Sequence, residues 1–199
     1  MNSGMNFLFF SRRPNLKLWN TIAIHPLAPK ELLPNPNHDL TEVTLALEKE
    51  GEPEEGGAFE RISSSVLHYQ VFGSKIGRAV TNGGKVQEGD TIGLCYRFLP
   101  GLELFFASRV VEVFELQETE DGWRSGFVYQ TLNHHPEVGE ELFEVVKHKT
   151  GHVTFRLEAW SRPNLWFVRL FSFWARRIQK YAARCAVESL QGIGQSGEC

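Results

Sequence analysis

Residues 126–163 read GFVYQTLNHHPEVGEELFEVVKHKTGHVTFRLEAWSRP, and this stretch decides the fold. It contains runs in which apolar and polar residues alternate, which is the period-two pattern of strands with one buried face. Thr150-Gly151 marks a short turn between the last two runs. Because connections of hairpin length join antiparallel neighbours, the stretch predicts an antiparallel sheet.

The strand pattern continues on the N-terminal side, and helical patterns accompany it. Alternation and aromatic or β-branched residues predict strands at 41–47, 91–98, 102–116, 123–132, 141–148 and 152–160. Apolar residues at three- and four-residue spacing predict a helix over 58–72 and a long final helix over 164–190. An amphipathic helix of that length needs an apolar partner surface. The order predicts an α+β fold in which a curved antiparallel sheet of six or seven strands grips the C-terminal helix, with Leu170, Trp174 and Ile178 facing the sheet.

The two ends of the chain differ in composition from the rest. Five of the nine prolines lie near the N-terminus, namely Pro14, Pro26, Pro29, Pro34 and Pro36. Proline fixes φ and removes a backbone donor, yet this segment is too apolar for a free tail. We therefore expect residues 1–40 to form an irregular arm packed on the domain or on a second subunit. Residues 41–191 are predicted to form one domain, and the glycine-rich residues 192–199 a disordered tail.

Composition and charge exclude several classes of protein. The 199 residues fit one domain with a sizeable core, and a net charge of -3 gives no overall reason to expect nucleic-acid binding. No apolar run approaches the roughly 18 residues that a membrane span requires. Cys95, Cys185 and Cys199 show no metal-ligand spacing, so no metal or other cofactor is predicted. Their odd number indicates free thiols in a reducing compartment, and a cytoplasmic location is expected.

A set of unusual sequence pieces occurs in a fixed order towards the C-terminus. The pieces are Gly126-Phe127-Val128-Tyr129, Thr131-Leu132, His135-Pro136, Gly139-Glu140-Glu141, Phe143, Trp160-Ser161-Arg162-Pro163 and Ala175-Arg176-Arg177-Ile178-Gln179. In this order they resemble the family catalogued as domain of unknown function 1990, a group of uncharacterised bacterial and plant proteins. A looser match extends upstream through Arg109-Val110-Val111, so the likeness covers roughly residues 41–190. The chain departs from the family pattern at Gln130, where a small residue is expected.

The resemblance implies a single domain of helix-grip type, similar to START and pollen-allergen proteins, and implies no settled activity. Helix-grip folds often leave a cavity between the helix and the sheet, and such cavities are mainly apolar with a few polar groups. The ligand-binding candidates are Tyr96, Phe106, Tyr129, Trp160, Arg162 and Trp174. The alternative is that these aromatic residues form a fully packed core.

A polar cluster lies between two of the predicted strands. It contains His134, His135, Glu140 and Glu141. Imidazole titrates near neutrality and a neighbouring carboxylate fixes its tautomer, so His135, Glu140 and Glu141 are weak catalytic candidates. Glu140 and Glu141 are adjacent and point to opposite faces in an extended chain. We expect the inward one to bond Arg162 or nearby backbone N–H groups. An ordinary turn stabilised by these groups is the alternative.

Three functions remain open from the sequence. The leading one is a binding module that holds a small apolar or amphipathic ligand between the sheet and the final helix. The second is an enzyme in which His135 acts as acid or base with Glu140 or Glu141 orienting it. The third is a structural or partner-binding protein whose proline-rich arm carries the interaction, including a homodimer formed through the arm.

Overall fold

The computed structural model describes residues 8–9, 16–72, 76–99, 102–133, 135–164 and 172–195. His134 and Leu170 lie outside these residues. The side chains of Trp174 and Ile178 are also outside the described part, so the expected contacts of Leu170, Trp174 and Ile178 with the sheet are not tested.

Within the described residues, eight antiparallel strands form one sheet. The strands are β1 Leu8–Phe9, β2 Asn37–Leu47, β3 Gly77–Val80, β4 Thr91–Leu99, β5 Leu102–Thr119, β6 Gly122–Thr131, β7 Glu137–His148 and β8 His152–Pro163. Their order is β2-β8-β7-β6-β5-β4-β3, and β1 pairs with β5 off this path. Register shifts on β2 and β5 are the bulges that bend such a sheet. The predicted curved antiparallel sheet is therefore confirmed.

The helices differ from the predictions mainly at their ends. The described part of the chain contains α1 Leu16–Trp19, α2 Ala58–Leu67, α3 Ser172–Gln195 and a 3-10 turn at Lys30–Leu32. α2 ends five residues before the predicted limit of residue 72, and Tyr69 just beyond it adopts a left-handed backbone with φ of 55°. α3 continues past its predicted end at residue 190. Arg61 of α2 donates hydrogen bonds to the carbonyl oxygens of Ile193 and Gly194, which helix ends otherwise leave unpaired.

The two long helices cover one face of the sheet, which we call the concave face. α2 and α3 contact each other, and they contact β7 and β2 respectively. Phe59 and Ile62 of α2 and Leu190 of α3 pack against Phe143 and Phe155 of the sheet. This apolar layer is the main core, and burial of such side chains is the dominant favourable term in folding.

The arm covers the opposite, convex face of the sheet. Trp19 and Leu16 pack on Phe105 and Cys95, with the Trp19 and Phe105 ring centroids 5.2 Å apart. A second apolar cluster joins Ala28 and Leu33 of the arm to Val138 of β7. The described part of the arm thus packs on its own chain. β2 follows directly and begins at Asn37.

A buried ion pair connects β7, the end of β2 and the start of α2. Lys147 is fully buried; its Nζ donates to the carbonyl oxygen of Lys49 at 2.7 Å and lies 3.7 Å from Glu48 Oε2. The other carboxylate oxygen of Glu48 accepts the N–H of Phe59 at 2.7 Å, in the first turn of α2. A buried charge without its partner is costly. The pair therefore fixes where α2 starts relative to the sheet.

We expect Lys147→Ala to lower the free energy of unfolding by about 3–5 kcal/mol, because it leaves the Glu48 carboxylate buried without a counter-charge. The matched control is Lys49→Ala, since Lys49 forms an exposed ion pair with Glu54 and such pairs contribute little. Urea denaturation of both variants measures the difference. Equal stabilities of the two variants would contradict the assigned role of the buried pair.

Candidate functional site

The concave face changes character along the strands. At one end large apolar residues lie side by side on neighbouring strands, as Phe127, Phe143 and Leu157 do. Towards the other end, the next residues on this face are small or polar. They are Asn37 of β2, Ser161 of β8, Gly139 of β7, Thr131 of β6 and Ser108 of β5. These short side chains reach less far above the sheet than the aromatic residues of the apolar half.

A single row of residues crosses the sheet where the apolar half meets the polar half. In order across the sheet, the row consists of Asp39, Ala159, Glu141, Tyr129 and Val110. The Tyr129 hydroxyl donates a hydrogen bond to a carboxyl oxygen of Glu141. The small side chain of Ala159 separates the two acidic residues of the row. The row therefore places a tyrosine–carboxyl pair where the apolar half of the face meets the polar half.

Aromatic rings surround this pair on its apolar side. The Tyr129 ring centroid is 5.6 Å from that of Phe143, which stacks on Phe127 at 5.0 Å. The Tyr69 ring meets Phe127 and Phe143 edge-on, at centroid distances of 6.0 and 6.1 Å. These rings remove water from one side of the Glu141 carboxyl. Such an environment disfavours the charged form of an acid.

Burial raises the pKa of Glu141 to about 7, and the hydrogen bond from Tyr129 opposes this rise. The acidic groups of Glu137 and Asp39 raise the pKa of Glu141 further. Burial, together with the nearby Glu141 carboxyl, also raises the pKa values of Tyr69 and Tyr129. The two phenols therefore stay protonated, while Glu141 exchanges its proton near neutral pH.

His135 lies in the loop that joins β6 to β7. Its Nδ1 is 2.6 Å from the carbonyl oxygen of Glu137, and its ring centroid is 5.7 Å from that of Phe106. Burial lowers the pKa of His135 to about 4, although the hydrogen bond to the Glu137 backbone opposes this shift. The imidazole is therefore neutral at physiological pH. The loop is shorter than predicted because β7 begins at Glu137 and pairs with β6 through Glu140 and Glu141.

The structure brings some of the candidate residues together and separates others. Tyr96, Phe106 and Tyr129 share the concave face, because they alternate with convex-face residues along β4, β5 and β6. Glu141 points to the same face. Glu140 points to the convex face, where its carboxylate accepts a hydrogen bond from the Gln130 amide at 2.8 Å.

Trp160 and Arg162 lie on the convex face, away from the other ligand-binding candidates. Trp160 stacks on His38 with ring centroids 5.0 Å apart, and the Lys30 ammonium is 4.6 Å from the centre of its ring. Arg162 stands opposite Val138 in the ladder, and burial, together with the charge of Arg162, lowers the pKa of His25 in the arm. The partner of the inward carboxyl is thus the Tyr129 hydroxyl instead of Arg162. The Trp174 side chain lies outside the described residues.

Three residues of the site, Tyr69, Asp39 and Ala159, belong to no local sequence pattern that would predict their position there. Tyr69 follows α2 and reaches the sheet only because its backbone is left-handed. Asp39 and Ala159 become neighbours of Glu141 only through strand pairing between distant segments. The alternation within each strand assigns residues to faces, and the register between strands assigns them to rows.

In the described ranges, no group of three or more His, Cys, Asp or Glu side chains is arranged to hold a metal ion. None of the described helices is long and apolar enough to cross a membrane.

A polar groove of about 300 Å³ lies away from the Tyr129–Glu141 pair, between β2, β8 and the β7–β8 turn. It is lined by Glu42, Val43, Thr44, His148, Thr150, His152 and Thr154.

The sequence over residues 28–189 matches the family described as Domain of unknown function (DUF1990). The chain belongs to the DUF1990 family. The match confirms the resemblance seen in the sequence, and it also includes the C-terminal part of the arm. No curated protein matches this DUF1990 chain.

Several solved structures resemble this DUF1990 domain at low sequence identity. Hypothetical protein jhp0584 from Helicobacter pylori is 11% identical with a TM-score of 0.47, and the alignment covers 86% of this chain and 93% of that one. Ara h 8.0201 is 8% identical with a TM-score of 0.47, with coverages of 81% and 99%. A Thalictrum norcoclaurine synthase with a bound transition-state analogue is 10% identical with a TM-score of 0.42, with coverages of 78% and 98%. Likenesses this weak say nothing about the function of the DUF1990 chain.

The raised pKa of Glu141 predicts a pH-dependent stability. The folded pKa of about 7 exceeds the ordinary value of 4.5, so between these values the folded protein keeps a proton that the unfolded chain releases. The Glu141 contribution to the free energy of unfolding should therefore fall as the pH rises through this window, while His135, whose pKa is lowered from 6.5 to about 4, contributes an opposite rise over nearly the same window. Glu141→Gln removes the falling contribution and should make the free energy of unfolding rise more steeply with pH than it does in wild type. Urea denaturation at a series of pH values measures both slopes.

Glu140→Gln is the matched control for this experiment, because Glu140 is the next residue of the same strand but bonds Gln130 on the other face. It should keep the wild-type slope. If Glu141→Gln and wild type showed the same slope, the carboxyl would not titrate as the structure indicates.

Proposed function

We propose that this DUF1990 domain binds a small amphipathic molecule on the polar half of the concave face. The observation that carries the proposal is the change along this face from large apolar residues to small polar ones, with the Tyr129–Glu141 pair at the boundary. Removing the Glu141 carboxyl from water costs desolvation free energy, which an apolar side chain at position 141 would not cost. A perturbed carboxyl next to a small-residue surface is typical of a functional site.

The site offers a polar anchor and an aromatic wall. When protonated, the Glu141 carboxyl accepts the Tyr129 hydrogen bond and still has its own proton to donate to a ligand. Phe106 lies on the same face near His135 and provides apolar contact. His135 is neutral, so it adds polarity without a positive charge. We therefore expect a ligand with an aromatic or apolar body and one hydrogen-bonding group.

Acid–base catalysis is the second candidate function. It is favoured by the pKa of Glu141, which lies near the pH at which a general acid or base works best. His135 is a poor base at neutral pH, because its lowered pKa of about 4 makes it a weak proton acceptor. In a catalytic version of the site, Glu141 would transfer the proton and Tyr129 would orient its carboxyl.

Filling the space beside Glu141 tests the binding site. Ala159→Leu places a larger apolar side chain between Asp39 and Glu141, and we expect it to weaken binding of the neutral fluorescent probe prodan roughly tenfold or more. Ala159→Ser keeps the side chain small and should bind as wild type does. Fluorescence titration gives the affinities, and a thermal melt shows whether each variant is folded. Tight binding to a folded Ala159→Leu variant would place the probe elsewhere.

The pH dependence of binding tests the polar anchor. Prodan carries a carbonyl group, which accepts a hydrogen bond from a protonated carboxyl but not from a carboxylate. Its affinity should therefore fall as the pH rises through about 7, the pKa of Glu141. Glu141→Gln keeps a donor at all pH values and should make the affinity independent of pH in this range. A wild-type affinity that does not change with pH would argue against contact with Glu141.

A further inference from the structure

The arm pairs with the end of β6 at the edge of the proposed site. Ile24 forms a bridge with Leu132, the residue that follows β6. On either side of this bridge, the His25 N–H donates to the Thr131 carbonyl oxygen at 3.0 Å, and the Asn133 N–H donates to the Ala23 carbonyl oxygen at 2.9 Å. The arm therefore extends the pairing of β6 up to the loop that carries His135.

The loop is held on its other side by the residue that follows β8. The Asn164 side-chain amide donates to the His135 carbonyl oxygen at 3.1 Å, and the Asn164 N–H donates to the Pro136 carbonyl oxygen at 3.0 Å. At the base of the loop, the Gly139 N–H donates to the Thr131 hydroxyl at 3.0 Å. The position of His135 thus depends on two attachments, and the arm supplies one of them.

One side chain fastens the arm just before this attachment. Arg109 lies on the convex face of β5, between Ser108 and Val110, which point to the concave face. Its guanidinium donates to the carbonyl oxygens of Trp19, Asn20 and Ile22 at 3.1 to 3.3 Å. These carbonyls belong to the last residue of α1 and to the turn after it, and the Trp19 carbonyl oxygen also accepts the Ile22 N–H at 3.0 Å. All three contacts are made by Nη2, while Nη1 donates to the Gly89 carbonyl oxygen at 3.3 Å, so the planar guanidinium joins the arm to the turn before β4.

We infer that Arg109 is a positioning residue for the concave site, although it lies on the opposite face of the sheet. By holding the arm it fixes residues 23–25 against Thr131 and Leu132, and so fixes the His135 loop. This inference rests on the proposed binding function. Because coupling between two events is reciprocal, a ligand on the concave face should also hold the arm more tightly.

Cys95 provides a built-in reporter of arm attachment. It is fully buried on the convex face in the cluster that includes Leu16 and Trp19 of the arm. Detachment of the arm would remove this cover and give a thiol reagent access to the sulfur. The rate of Cys95 labelling therefore measures how often the arm opens.

The experiment uses the full chain with Cys185→Ser and Cys199→Ser, so that Cys95 is the remaining thiol. In this background, Arg109→Met should raise the rate of Cys95 labelling by an aromatic disulfide and weaken prodan binding, each roughly tenfold. Arg124→Met is the matched control. Arg124 also lies on the convex face, but it contacts Gln117, Glu144 and Phe114 and should change neither quantity.

A second measurement keeps Arg109 and so does not depend on the folding of a variant. Saturating prodan should slow Cys95 labelling several-fold in the background with Arg109 intact. The global unfolding rate of the same chain is measured in urea and extrapolated to water. Cys95 labelling that is faster than this rate occurs by local opening. Labelling that is no faster than global unfolding, or that prodan does not slow, would overturn the inference.

The outcomes separate the two proposals. Faster Cys95 labelling in Arg109→Met with unchanged prodan affinity would show that Arg109 only holds the arm, and the positioning role would fall while the binding site stands. Absence of prodan binding to wild type would overturn the proposed binding function and this inference with it. Equal effects of Arg109→Met and Arg124→Met would attribute the change to charge on the convex face and not to the arm.

Discussion

The alternation of side chains across one sheet, both of whose faces are covered, is the constraint on which the structure depends. α2 and α3 cover the concave face and the arm covers much of the convex face. A slip of one residue in any strand would exchange its two sets of side chains, so the register is strongly specified. Glu140 and Glu141 show the consequence. They are neighbours in sequence, yet one bonds Gln130 on the convex face and the other accepts from Tyr129 on the concave face.

The same pairing that builds the core also builds the candidate site. The register that places Phe127 beside Phe143 places Tyr129 beside Glu141 two residues further along. Desolvation of the carboxyl is unfavourable, and the hydrogen bond from Tyr129 offsets part of it. Apolar residues at both positions 129 and 141 would avoid this cost. The carboxyl is therefore the feature of this face that stability alone does not explain.

Covering the convex face has consequences for the rest of the molecule. A single sheet with helices on one side leaves its other side open to water, and the apolar residues at Cys95, Phe105 and Val138 would then be exposed. The arm buries them with short, irregular segments that suit its prolines, because these segments need few ladder hydrogen bonds. Its attachment beside Thr131 also makes the arm part of the surroundings of the His135 loop.

The sequence by itself determined six of the eight described strands, the two long helices, their order and the family, because periodicity and turn residues are local properties of the chain. It also determined that Glu140 and Glu141 point to opposite faces. Only the tertiary structure decided which face each strand turns to the helices, and so separated Trp160 and Arg162 from Tyr129. It likewise decided that Glu141 meets Tyr129 and that Lys147 meets Glu48. These pairs join residues far apart in the chain or depend on the register between strands, and the pKa of Glu141 depends on burial that no local pattern encodes.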